Sequence, residues 1–359
     1  MSDMAYFYDP NKTFEDNCDN GPFNMDLTSV KNTGEPLYEF LGHKVYLPFG
    51  IPAGPLPTSK HTTAAFKLGY DVVVYKTQRT VPFTGNKFPH ILSLKLDGDL
   101  TLDKASGQIV ADQNYPEDLS KLTITNSFGM PSQGPDFWID DLKKAIAGAD
   151  KGQLLIMSVV GTIQDGFTPD DYYNDFAYGA QLAADAGAPV IEVNLSCPNV
   201  ATEGVLCYSP ESVLEICKRA KKAIGDVPLL IKIGYYRPDQ QNLLEEIVEQ
   251  VSPYVAGISS INTIAAAVVD KDGNQALEGE GRLKSGCCGA GIRWAGLEMT
   301  KRLDEIRKRK GYNYAIIGVG GVMTPDDYKH YISHGADCVM SATGAMWNQY
   351  LARDIKASL

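Results

Sequence analysis

Eight short apolar runs, several rich in Val and Ile, recur along the chain with helix-like segments between most of them. They are KVYLPFGI (44–51), DVVVYK (71–76), LLIMSVV (154–160), PVIEVNL (189–195), PLLIKI (228–233), VAGISSIN (255–262), YAIIGVG (314–320) and ADCVMSA (336–342). Continuous apolar strands of this length suit a parallel sheet buried on both faces, and parallel strands require crossover helices. Eight such units predict an α/β fold, a (β/α)8 TIM barrel. An open doubly wound sheet is the other arrangement, although its Gly-x-Gly-x-x-Gly fingerprint does not follow the first strand.

The intervening segments carry helix punctuation. TPDDYYNDFAYGAQLAADAG (168–187) opens on a Thr cap and a first-turn Pro and ends on Gly. SPESVLEICKRAKKAIG (209–225) repeats that grammar, with Val213, Leu214, Ile216, Cys217, Ala220 and Ile224 forming a core-facing stripe. Further helices are expected over 238–251, 293–309, 324–334 and 344–357. Two pieces stand outside the eight units: an extension over 1–36, and an insertion over about 92–122. The insertion alternates apolar and polar residues around Asp-Gly and Ser-Gly, which predicts strands and turns over one end of the barrel. One barrel domain over 37–359 accommodates the rest.

A net charge of −11 argues against a nucleic-acid or anionic-membrane footprint, both of which need a concentrated positive field. No run approaches the length of a membrane span, and the polar, acidic amino terminus does not read as a signal peptide. Seven cysteines lack any Cys-x-x-Cys pair, which suits reduced thiols in a cytoplasmic protein better than disulfides, zinc or an iron–sulfur cluster.

Chemistry in a (β/α)8 barrel gathers at the carboxyl ends of the strands. There the chain places Lys76, Ser158, Asn194, Cys197, Lys232, Asn262 and Thr263. Buried lysines are costly unless paired with a carboxylate such as Glu192 or with an anionic ligand. Glycine-rich stretches follow the seventh strand (GVGGVMTPDD, 318–327) and the eighth (SATGAM, 341–346), a pattern suited to a phosphate cradle. Cys217 and Cys338 read as core residues, whereas Cys197 lies in a polar turn where a thiol can act as base or nucleophile.

The string Asn-Leu-Ser-Cys-Pro-Asn at 194–199 resembles the fourth-strand signature of the class 1 dihydroorotate dehydrogenases. Ala53-Gly54, Lys76-Thr77, Gly85-Asn86, Asn126-Ser127-Phe128-Gly129-Met130-Pro131, Lys232, Asn262-Thr263, Gly320-Gly321 and Thr343 follow the family's order. The resemblance implies FMN across the barrel mouth, contacted by Ala53, Gly54, Lys76, Thr77, Ser158, Asn194 and Lys232. Its phosphate would lie against Gly289, Gly320, Gly321, Ala342 and Thr343. It also implies a dihydroorotate or orotate site built from Lys76, Asn126, Phe128, Gly129, Met130, Asn194, Asn199, Asn262 and Thr263. Cys197 would take the C5 proton while the C6 hydrogen leaves with its electron pair to flavin N5, and Lys232 would stabilise negative charge on the flavin. A homodimer is implied, with either a soluble electron acceptor such as fumarate or a separate electron-transfer subunit.

Departures from the family's pattern are His90 for its usual Arg, Ala342 for a glycine, and Cys287-Cys288 within a glycine-rich stretch. They keep open a related flavoenzyme of the dihydrouracil type. A flavin-free nucleotide-processing barrel and a flavin-binding scaffold are the further alternatives.

Overall fold

Each of the eight apolar runs contributes a strand to a single closed parallel barrel, which decides against the open sheet. The computed structural model describes residues 4–30, 32, 34–196 and 206–359. In spatial and chain order the barrel strands are Phe49–Ile51, Val72–Gln78, Leu154–Val159, Ile191–Asn194, Leu229–Ile233, Gly257–Ser260, Ala315–Val319 and Cys338–Met340. Val339 pairs with Phe49 to close the ring. Every residue of the second, third and fifth strands is buried, because neighbouring side chains fill the barrel and helices cover its outside.

The first run is shorter in the barrel than its sequence suggests. Its beginning forms a hairpin, Tyr38–Phe40 with His43–Val45, and Pro48, which has no N–H to donate, precedes the barrel strand proper. The expected helices form over Pro169–Asp185, Pro210–Ile224, Arg293–Lys310 and Pro325–Ser333, while 238–251 opens with a 3-10 turn before Gln241–Val251. Thr168 and Asp171 make a reciprocal capping box, and Ser209 caps the next helix. Its stripe is buried except for Leu214, which is half-buried.

One helix expectation is corrected: 344–357 divides into Thr343–Trp347 and Leu351–Ala357. The Asn348 side chain accepts from Tyr350 N at 3.1 Å and donates to Asp354 at 2.8 Å, so the amide ends one helix and starts the other.

The inserted segment belongs to a larger unit than 92–122. Ser93–Leu94 and Gln108–Asp112 close a five-stranded sheet with Thr123–Asn126, Ile264–Val269 and Lys284–Gly289, and a short helix, Leu102–Ser106, interrupts it. Asn126 and Gly289 at its strand ends face the barrel mouth, so two distant stretches of chain build one wall there. Near the amino terminus, helix Phe14–Asn20 is fixed by buried Asn17, which bonds Asp9 N at 2.7 Å and Thr13 O at 2.8 Å. From this segment Tyr8 packs edge-on against Phe128.

At the opposite end, fully buried Asp71 accepts from Leu47 N at 2.9 Å and lies 2.7 Å from Lys356 of the last helix. Burial pushes the Asp71 carboxyl up to about 6, against the opposing pull of Lys356. Lys356→Met is expected to cost about 3–5 kcal/mol in denaturant unfolding at pH 8, because it strands a buried charge. A carboxyl whose folded pKa is raised favours folding when protonated and loses that contribution as pH rises through its folded value. The deficit of the variant should therefore be smaller at pH 5 than at pH 8, and a pH-independent deficit would refute this account.

Candidate active site

At the carboxyl ends of the strands lies a two-limbed cleft, the limbs sharing Ala53, Asn126, Lys232 and Asn262. One limb is walled by Gly289, Gly320, Gly321, Ala342 and Thr343. The other is walled by Gly54, Lys76, Thr77, Asn194, Thr263 and the loop Phe128–Gly129–Met130. Among the described residues lining either limb there are two lysines and no carboxylate. In a chain of net charge −11 the cleft is locally positive, suited to an anionic ligand.

Lys76 and Lys232 are both buried. Lys76 Nζ lies 5.5 Å from the Phe128 ring centroid and 5.7 Å from that of Phe14, so the amino-terminal helix reaches the site. Contacts of this kind favour the charged ammonium. Thr77 lines the cleft and bonds Ser158 at 3.0 Å, and Ser158 donates to Glu192 at 2.9 Å. Ser158 therefore stands behind the wall rather than on it. Burial raises the Glu192 pKa, and the charge of Lys232 is the largest influence holding it down. Lys232 is thus the lysine answering Glu192.

The fourth strand ends at the cleft. Asn194 accepts from Ser196 N at 3.2 Å and approaches Met130 Sδ at 3.6 Å, while Asn262 donates to Ser196 O. Cys207 N returns to Leu195 O at 3.0 Å. The chain therefore leaves the barrel at Ser196 between two cleft-lining asparagines. Cys197 and Asn199, the expected base and one expected substrate ligand, lie outside the described residues.

The cleft-lining loop Phe128–Gly129–Met130 is locked to the preceding Gly85–His90 loop. Asn86 N donates to Phe128 O at 2.8 Å, and Ser127 N donates to His90 O at 3.0 Å. Gly129 adopts φ +71°, and a Cβ there would stand 2.8 Å from Asn86 Oδ1, so the close approach demands glycine. His90 stacks on Phe128 with centroids 4.9 Å apart, and its Nε2 meets Asn86 O at 2.9 Å. Burial lowers its pKa, so this histidine supplies an aromatic face rather than a charge. Buried Arg79 donates to Met130 O at 3.0 Å, and Trp138 in turn donates to Arg79 O at 3.0 Å. Sequence reasoning missed Arg79, whose only signal was a cation following a buried strand.

In the glycine limb, Gly321 adopts φ +68°, and a Cβ would meet Arg293 N and Gly289 O at 2.8 Å. The following helix does not offer a free amino terminus. Met323 N and Thr324 N both donate to Asp327 at 2.9 Å, and Asp327 pairs with Arg293 at 2.7 Å. The helix opening at Thr343 has only five residues. The expected help from helix dipoles is therefore small, and any anion here would rely on loop N–H groups, Thr343 and Lys232. Cys288 also lines this limb, with Thr343 Oγ1 at 3.6 Å from its sulfur.

The six described cysteines are free, with Cys217 and Cys338 buried in the core. Among the described residues no cluster suits a metal ion, and no helix is long and apolar enough to cross a membrane.

A closed parallel barrel whose strand ends carry a cleft lined, among the described residues, by two lysines and no carboxylate defines a (β/α)8-barrel protein with a cleft suited to an anionic ligand. The family model for dihydroorotate dehydrogenase matches residues 114–359. Dihydroorotate dehydrogenase of Dictyostelium discoideum is 36% identical over 96% of this chain and 95% of its own length. The catalytic subunit of dihydroorotate dehydrogenase B (NAD(+)) from Staphylococcus carnosus is 26% identical, covering 65% of this chain and 69% of its own. A solved Eimeria tenella dihydroorotate dehydrogenase, 19% identical, superposes with a TM-score of 0.68 over 89% of this chain and 82% of that one. The chain belongs to the dihydroorotate dehydrogenase family.

Proposed function

We propose that this protein oxidises dihydroorotate to orotate in pyrimidine biosynthesis, using FMN. The observation that carries this reading is the cleft itself, two lysines and several amides converging in a site with no carboxylate among its described lining residues. Dihydroorotate is a small anionic ring with carbonyl and N–H groups. The amides of Asn126, Asn194 and Asn262 can both donate and accept, which matches such a ring. Thr263 Oγ1 is buried without a hydrogen-bond partner among the described residues, an atom that a ligand would satisfy.

The glycine limb fits the phosphate of FMN, and Ala53, Gly54, Lys76, Thr77, Asn194 and Lys232 fit contacts to its ring, with Ser158 acting through Thr77. When bound, FMN supplies the two-electron oxidant. The chain's own work is to hold the ring in the cleft, to balance negative charge with Lys76 and Lys232, and to take the C5 proton on Cys197. Gly321→Val would force a left-handed backbone and a clash at the cradle, strain of about 1–3 kcal/mol. FMN affinity is expected to fall roughly 10–100-fold, read by flavin released on dilution; unchanged retention would remove the phosphate from this limb.

The proposal is tested by purifying the protein, measuring its flavin content and adding dihydroorotate without oxygen. Bleaching of the yellow colour is expected with dihydroorotate and not with dihydrouracil. Persistent colour with dihydroorotate would refute the substrate assignment, and colourless protein the cofactor. The same reading includes a cytoplasmic homodimer and a soluble acceptor such as fumarate. Turnover of the isolated chain with fumarate supports that acceptor; its failure alongside normal bleaching points to a separate NAD-linked electron-transfer subunit.

A further inference from the structure

The outer wall of the substrate limb is held from behind by a residue distant in sequence. Arg282, buried, donates through Nε to Ser127 Oγ at 3.2 Å and through Nη2 to Ser127 O at 3.1 Å and Pro89 O at 2.9 Å. Its Nη1 donates to Lys87 O at 2.8 Å and Glu278 O at 2.5 Å. One guanidinium thus ties together the Gly85–His90 loop, the Asn126–Met130 loop and the small sheet's long connection. Ser127 lies between Asn126 and Phe128, both of which line the cleft.

These five acceptors are neutral oxygens. The carboxylate of Glu278 lies 3.5 Å from Lys87 Nζ, out at the exposed surface. Arg282 therefore places a positive charge one residue behind the substrate wall, with the surface carboxylate of Glu278 the charge that acts on it from the outer side. His90, on the same loop, is engaged through Nε2 with Asn86 O and in stacking on Phe128. We propose that Arg282 is a positioning residue that sets the preference for anionic ligands, fixing the Asn126–Phe128 wall and biasing the adjoining limb toward a carboxylate-bearing ring.

This inference rests on the dihydroorotate reading. It is tested on the full-length, FMN-loaded protein by titrating orotate and uracil, two flat rings differing in a carboxylate, and following the flavin absorbance. Arg282→Met is expected to weaken orotate about 10–100-fold and uracil by less than about threefold, with Arg282→Lys recovering most of the orotate preference. Flavin content and thermal midpoint report folding, and if Arg282→Met does not fold, Arg282→Gln is judged by the same ratio. Equal weakening of both ligands, or weakening of neither, would overturn the proposal. Wild-type protein that dihydroorotate bleaches, combined with an unshifted ratio in the variant, defeats the role of Arg282 alone; failure of the wild type to bleach defeats the substrate reading itself.

Discussion

Cys197→Ser is expected to slow anaerobic bleaching by dihydroorotate about 10²–10⁴-fold at neutral pH, with flavin content unchanged. The proton leaving C5 needs a base, and a free thiol ionises near pH 8.5, whereas a serine hydroxyl stays protonated across the working range. Wild-type bleaching should therefore accelerate as pH rises toward that value and then level, because the thiolate is the active form. Ser196, the last described residue before Cys197, is held by Asn194 and Asn262 where the chain leaves the barrel. Stopped-flow traces from pH 6 to 10 decide the matter, and a serine variant with wild-type rate and pH profile would remove Cys197 from catalysis.

Lys232→Met should lower the same rate by about 10²–10³-fold, the usual loss when a preorganised charge-stabilising donor is deleted. It should also raise the pKa of Glu192 further, since that carboxyl is already lifted by burial and Lys232 opposes the lift. Removing the lysine alone leaves a buried carboxylate that must either protonate or destabilise the barrel. The double variant Lys232→Met with Glu192→Gln removes both charges. It is expected to regain thermal stability without regaining rate, and recovery of both together would show that Lys232 serves structure rather than charge balance.

The pattern of the chain carried the barrel because strand burial writes itself as local composition. A strand covered on both faces must be apolar throughout, and the helix caps at Thr168, Ser209 and Thr324 announce themselves within four residues. The candidate cleft was legible for a related reason: Lys76, Asn194, Lys232 and Asn262 are polar residues at the ends of apolar runs, an anomaly visible without coordinates. Where pattern failed, the cause was again physical. Asn348 broke a helix through its own side chain, and Pro48 cut a strand short, both local events that the surrounding apolar pattern masked.

By itself the sequence determined eight strand-and-helix units, the face on which polar residues gather, and a resemblance to one family through ordered motifs. Only the tertiary structure decided that Ser158 stands behind Thr77, that Glu192 answers Lys232, and that Asp327 occupies the helix end beside the glycine cradle. It also brought Phe14, Arg79 and Arg282 to the cleft from three separate regions. Such contacts depend on where the folded chain returns to itself. Burial and charge act through distance in space, and periodicity reports only distance along the chain.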